Sequence, residues 1–151
     1  MTLLNRKVDY ALLILCYLHH RESGGSAREI AAHFGISRPF VANILKDLCQ
    51  RHFVVSQRGV KGGYHLDPCA NSRTLADLID ALDGSVRLAE CNHTFAERCC
   101  SLEPNCPIRD PIAEVHNRLR NVLETVRLVE LFAKPPREFV PQPLPLDVIT
   151  V

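Results

Sequence analysis

The stretch Ser26 to Leu66, SAREIAAHFGISRPFVANILKDLCQRHFVVSQRGVKGGYHL, decides how this chain folds. Ser26 is a good N-cap, and Glu29 stands at the third helical position as in a capping box, so a short helix is predicted over Ala27 to Phe34. Gly35 stops it. Ser37 can cap a following helix that runs to about His52; Pro39 falls in its first turn, where a missing N–H costs little. Phe40, Val41, Ile44, Leu45 and Leu48 supply that helix with apolar contacts. A helix, a tight glycine turn and a second helix make a helix-turn-helix. On its own this pattern also fits an ordinary pair of core helices. The residues that follow favour the first reading. Phe53 to Gln57 is a β-type run, Arg58-Gly59-Val60-Lys61-Gly62-Gly63 is a basic turn, and Tyr64-His65-Leu66 returns as a strand. The hairpin is a wing with Arg58 and Lys61 near its tip, two cations suited to phosphates or a minor groove.

Working outward, residues 5–20 keep a helical period through Val8, Leu12, Leu15 and Leu18 until Ser23-Gly24-Gly25 breaks it. Asn71 to Thr74 caps a helix from Leu75 to Leu82, ended by Asp83-Gly84. From Asp110-Pro111 a long helix is predicted to run to about Ala133. Its apolar positions Ile112, Val115, Leu119, Val122, Val126, Val129 and Ala133 are spaced alternately by three and four, a heptad seam. At 1.5 Å per residue it would be roughly 35 Å long, too long and one-sided to serve only a domain this small. It reads as a dimerisation helix; the competing reading packs it along its own domain. The fold class is therefore mostly α with a small β-hairpin: a winged helix-turn-helix plus a long dimerisation helix. The expected division is a DNA-binding domain over 1–84, a cysteine-rich loop over 85–110, the dimerisation helix over 111–134 and a proline-rich, flexible tail over 135–151.

Bulk composition agrees. The chain has 151 residues, 46% hydrophobic and 23% charged, normal for a globular domain with a real core. Residues 1–68 carry 9 Lys and Arg against 5 Asp and Glu, a balance of +4, while residues 69–151 carry 9 against 12, a balance of −3. A basic half beside an acidic one is compatible with nucleic-acid contact. No apolar run approaches the roughly 20 residues of a membrane span. Charged Arg6, Lys7 and Asp9 precede an apolar stretch that leads straight into His19, His20 and Arg21, which is not a signal peptide. A cytoplasmic location is expected. In that reducing setting seven cysteines are not a disulfide framework.

Four of those cysteines fall within sixteen residues, Cys91 to Cys106 (CNHTFAERCCSLEPNC), and such clustering suggests metal or redox chemistry. A flexible loop lets thiolates converge on an iron–sulfur cluster. Structural zinc favours closely spaced cysteine pairs, which are absent apart from adjacent Cys99 and Cys100. A bare thiol switch at Cys99 or Cys100 is a further reading. Cys16, Cys49 and Cys69 read as filling apolar space or sitting idle, not as metal ligands.

The order of these parts resembles the IscR/NsrR/RirA family of bacterial iron–sulfur transcriptional regulators over about residues 1–133. The resemblance is carried by Lys7-Val8-Asp9-Tyr10-Ala11-Leu12, Ile36-Ser37, Ser56-x-Arg58-Gly59-x-x-Gly62-Gly63-Tyr64-x-Leu66 and Leu75-x-Asp77-Leu78-Ile79-x-Ala81-Leu82-x-Gly84, with cysteines after them. It implies a homodimer that binds double-stranded DNA, two winged helices reading successive major grooves. By position the readers are Ser37, Arg38, Phe40 and Asn43, with Arg58 in the wing; Arg38 suits a guanine edge and Asn43 an adenine edge. Relatives often have a Tyr-Leu-Glu-type stretch where this chain has Phe40-Val41-Ala42, so an acidic discriminator is missing.

The resemblance also implies three cysteine ligands, here Cys91, Cys100 and Cys106, with Cys99 the alternative to Cys100. One branch adds a histidine where this chain has Arg109, which cannot ligate. The NsrR-like branch instead uses a carboxylate from the first helix of the other subunit, the place of Asp9; His93 is a fallback. An oxygen ligand leaves one iron labile, which favours [4Fe–4S] over [2Fe–2S]. The implied function is a repressor whose DNA affinity follows a cluster responding to nitric oxide, iron or redox state. The alternatives are a cluster-free regulator acting through thiol oxidation or a partner protein, and a thiol oxidoreductase, for which no CxxC motif speaks.

Overall fold

The computed structural model describes residues 4–59, 62–84, 86–89 and 105–133. Cys91, Cys99, Cys100, Lys61 and the proline-rich tail lie outside the described residues.

The expected capping box forms around Ser26. The Ser26 backbone N–H donates to Glu29 Oε2 at 2.7 Å and the Glu29 N–H to Ser26 Oγ at 3.2 Å, opening α2 over Ala27–Phe34. Gly35 closes α2 with φ +67°, a left-handed conformation in which a side chain would be strained. The next helix, α3, spans Arg38–Gln50. Ser37 occupies its N-cap position but makes no side-chain cap bond; the expected cap is positional only. Preceding both is α1, Arg6–His19, whose Asn5 side chain caps it at Val8 N–H, 2.9 Å away.

The end of α3 is a Schellman motif. The Phe53 N–H donates to the Leu48 carbonyl at 2.9 Å and the His52 N–H to the Cys49 carbonyl at 3.2 Å. Phe53 and Leu48 are fully buried, the apolar contact that accompanies such caps. The residue required to turn left-handed is His52, at φ +59°, where glycine is usual. Left-handed strain of roughly 1–2 kcal/mol exceeds the entropy glycine would lose, about 0.5–1 kcal/mol. His52→Gly should therefore raise stability by roughly 0.5–1 kcal/mol. A urea midpoint that does not rise in this variant would show that His52 makes a compensating contact.

The wing forms as read: β1, Val54–Gln57, pairs antiparallel with β2, Gly63–Leu66, in the register Val54 to Leu66 and Gln57 to Gly63. A third piece of backbone joins it. Gly25 and Tyr64 exchange N–H···O bonds at 3.0 and 2.9 Å, tying the wing to the turn after α1. After a 3-10 turn over Pro68–Ser72, α4 spans Leu75–Asp83, opened by a second capping box between Thr74 and Asp77. One core serves all of this, built from Val8, Ile14, Leu15, Ile30, Leu45, Leu48, Phe53, Leu78 and Ile79 among others.

The long helix differs from expectation. Instead of one piece over 111–134, α5 spans Arg109–Thr125 and α6 spans Leu128–Phe132. Val126 between them is extended, at φ −84° and ψ 107°. Thr125 Oγ1 donates to the Val122 carbonyl at 2.8 Å, a side-chain bond that competes with helix continuation. The freed backbone is then satisfied elsewhere: Leu75 N–H donates to the Val126 carbonyl and Leu128 N–H to the Arg73 carbonyl, both at 2.9 Å. Leu128 and Phe132 thereby enter the core. The seam residues Val126 and Val129 consequently do not continue one helical face.

Candidate functional site

The candidate residues fall in three places: α3 with the wing, the start of α1, and the turn before α5. On α3, Ser37, Arg38 and Asn43 are exposed, and Arg58 is exposed at the end of β1. Phe40 differs from these. It is half-buried, packed against the core, and its ring meets Tyr10 of α1 edge-on, with centroids 5.2 Å apart and planes at 87°. Of the five described candidates, four are thus free to meet DNA, and Phe40 joins α3 to α1 as well.

Asp9 sits in the first turn of α1, exposed. Among the described residues nothing hydrogen-bonds or ion-pairs with its carboxylate. Its neighbours on α1 are engaged. Val8 is fully buried, and Lys7 Nζ lies 2.7 Å from Asp47 Oδ2 of α3 and 3.4 Å from the Leu82 carbonyl at the end of α4. Cys106 is a free, half-buried thiol just before α5, its carbonyl accepting from Arg109 N–H at 3.3 Å. Asp9 and Cys106 are the candidate ligands that the described residues contain. Among those residues no three metal-binding side chains converge.

The remaining described cysteines stand in two settings. Cys16 and Cys49 pack against the core, and burial pushes both thiols above the ordinary cysteine range, away from the thiolate a ligand needs. Cys69 is a free, exposed thiol on the 3-10 turn.

The face of α5 is divided. Leu123 is buried and Leu119 packs on the core, with Arg120 clamping α5 to Asp80 of α4 through bonds of 3.2 and 2.7 Å. Val115 and Val122, one heptad apart, are left 52% and 58% exposed. One side of this helix packs on its own domain, and another is open.

Residues 4–134 match the sequence family described as Rrf2, iron-dependent transcriptional regulator. The chain belongs to the Rrf2 family. It is accordingly a transcriptional regulator and not an enzyme. Protein aau3 of Rhizobium meliloti (strain 1021) is 28% identical to this Rrf2 protein over 135 residues, 89% of this chain and 87% of that one. A putative transcriptional regulator of Listeria innocua has a similar solved structure, with a TM-score of 0.68, 26% identity and 88% of each chain covered. CymR, the global cysteine regulator of B. subtilis, matches with a TM-score of 0.67 at 23% identity, covering 88% of this chain and 98% of that one. IscR of T. potens matches at 0.62 and 23%, covering 86% and 85%. These likenesses agree with the winged-helix fold. Among the described residues no helix is long and apolar enough to cross a membrane.

The sequence did not assign a role to Lys7, Tyr10 or Asp47. Lys7 and Tyr10 lie in the stretch that carries the family resemblance, but their partners Asp47 and Phe40 are forty and thirty residues away along the chain.

Proposed function

We propose that this protein is a cytoplasmic, homodimeric repressor whose affinity for double-stranded DNA is set by a [4Fe–4S] cluster responding to nitric oxide, iron or redox state. Cys91, Cys100 (or Cys99) and Cys106 would hold it, with Asp9 of the other subunit as fourth ligand. The observation that carries the reading is the position of Asp9: an exposed carboxylate without a partner among the described residues, in the helix turn that also packs on the recognition helix. A free carboxylate there suits a ligand supplied across a dimer. Cys106 fits as well, a free thiol at the head of α5. The cluster would supply thiolate-held iron with one labile, oxygen-ligated site.

The open valines Val115 and Val122, with Ile112 near them, support α5 as the dimer contact; of the other seam positions, Leu119 packs on its own core, and Val126 and Val129 lie beyond the end of α5. Arg38, Asn43, Ser37, Arg58 and Lys61 would meet DNA, with Phe40 offering an apolar edge. Freeing the Asp9 carboxylate would release α1 and shift the equilibrium between two arrangements of the helix-turn-helix, which is what linkage requires. The test is anaerobic purification, with visible absorbance and binding to duplex DNA followed together during titration with nitric oxide, oxygen and a chelator. Coloured protein that releases DNA as the absorbance bleaches is expected. A colourless, iron-free protein that binds DNA identically throughout would sink the reading; one that releases DNA only on thiol oxidation would replace the cluster with a thiol switch.

A further inference from the structure

The two ends of the recognition helix are held by two neighbouring residues of α1. Phe40, in the first turn of α3, meets the Tyr10 ring edge-on at 5.2 Å. Asp47, in the last turns of α3, receives the Lys7 ammonium at 2.7 Å. Phe40 and Asp47 are seven residues apart, two helical turns and roughly 10 Å along the same face. Lys7 and Tyr10 are three apart, adjacent on α1. Lys7 has a second task. Its Nζ lies 3.4 Å from the Leu82 carbonyl, among the orphan carbonyls at the negative end of α4, where a cation is favoured. That end leads directly into residues 85–110, the cysteine-rich stretch. Asp9 lies between Lys7 and Tyr10 in sequence and points to solvent.

We infer that Lys7 and Tyr10 are the positioning residues that transmit the state of the Asp9 carboxylate to the recognition helix, Tyr10 setting its base-reading end and Lys7 its far end together with the end of α4. The inference rests on the reading of Asp9 as a ligand. A ring contact and a two-acceptor ammonium are direction-dependent, so a shift of α1 is felt at both ends of α3 as a rigid change of pose. A purely apolar α1–α3 seam would slide and absorb the same shift.

The experiment uses full-length protein and a duplex recovered by selection from a random pool with the wild type. DNA affinity is measured before and after iron is stripped by chelator, and the ratio of the two is the readout. Tyr10→Leu and Lys7→Met should each reduce that ratio by about three- to tenfold, with the visible spectrum of the loaded protein unchanged. Tyr10→Phe, which keeps the ring, and Lys7→Arg, which keeps the charge, should retain it. In the iron-free proteins, hydrogen exchange should quicken around Phe40 in Tyr10→Leu and around Asp47 in Lys7→Met. Lys7 is partly exposed, so Lys7→Met keeps the test open should Tyr10→Leu fold poorly. An unchanged ratio in Lys7→Met and Tyr10→Leu, with an intact spectrum, overturns the inference and leaves the ligand reading standing. A colourless wild type overturns both.

Discussion

Cys106→Ala, purified without oxygen, is expected to lose the visible absorbance and the bound iron of the wild type, and with them the response of DNA affinity to chelator. Coupling between two sites is typically worth 1–3 kcal/mol, so the wild-type affinity should change by about 5- to 150-fold on stripping and the variant's by a factor near one. Cys106 is free, half-buried and fixed by the turn that opens α5, so it is presented from a set backbone position. Cys16→Ala is the matched control, because that thiol packs against the core and burial holds it protonated. Iron content, absorbance and operator binding are measured on both. Full iron loading in Cys106→Ala, or loss of iron in Cys16→Ala alone, would require a different ligand set. Asp9→Ala should act more gently, since an oxygen ligand is exchanged and three thiolates remain.

Gly24→Ala should be the most damaging single-methyl change in the winged helix. Gly24 has φ +68°, and a Cβ there would lie 2.5 Å from the Tyr64 carbonyl oxygen and 2.7 Å from the His65 ring. Tyr64 is held on both sides, in the β1–β2 hairpin and in its bridge to Gly25, so the oxygen cannot yield without breaking backbone bonds. Left-handed strain and the clash together should cost about 2–4 kcal/mol. Gly35→Ala separates the two effects. Gly35 has nearly the same φ, +67°, but nothing lies within 4 Å of its added Cβ, so only the strain of about 1 kcal/mol remains. Chemical denaturation of the two variants side by side checks this, and equal midpoints would reject the steric argument. Because the Gly24–Gly25 turn anchors the wing, Gly24→Ala should also weaken DNA binding more than its stability loss alone explains.

Much of the architecture was readable because it is local. Ser26 and Glu29 are three residues apart, and a capping box needs nothing more; the same holds for Gly35 and for the hairpin bounded by Arg58 and Gly63. The charge asymmetry and the clustered cysteines likewise need no coordinates. The break at Val126 was hidden for the opposite reason. The spacing from Ile112 to Ala133 is a regular heptad, and periodicity reports which residues share a face only if the helix continues. Whether it continues depends on the Arg73 carbonyl, which accepts from Leu128 N–H, and on the Leu75 N–H, which donates to Val126, some fifty residues earlier.

By itself, then, the sequence determined the helix-turn-helix, the wing and the cysteine-rich stretch, because helix caps, glycine turns and residue spacing act over a few residues. Only the tertiary structure decided that α5 ends at Thr125, that Gly24 lies against the wing and that the Phe40 ring meets Tyr10 of α1. It alone joined Lys7 to Asp47 and to the end of α4. Those outcomes depend on buried backbone groups finding partners and on side chains meeting across the core, and both are settled only when distant segments pack together.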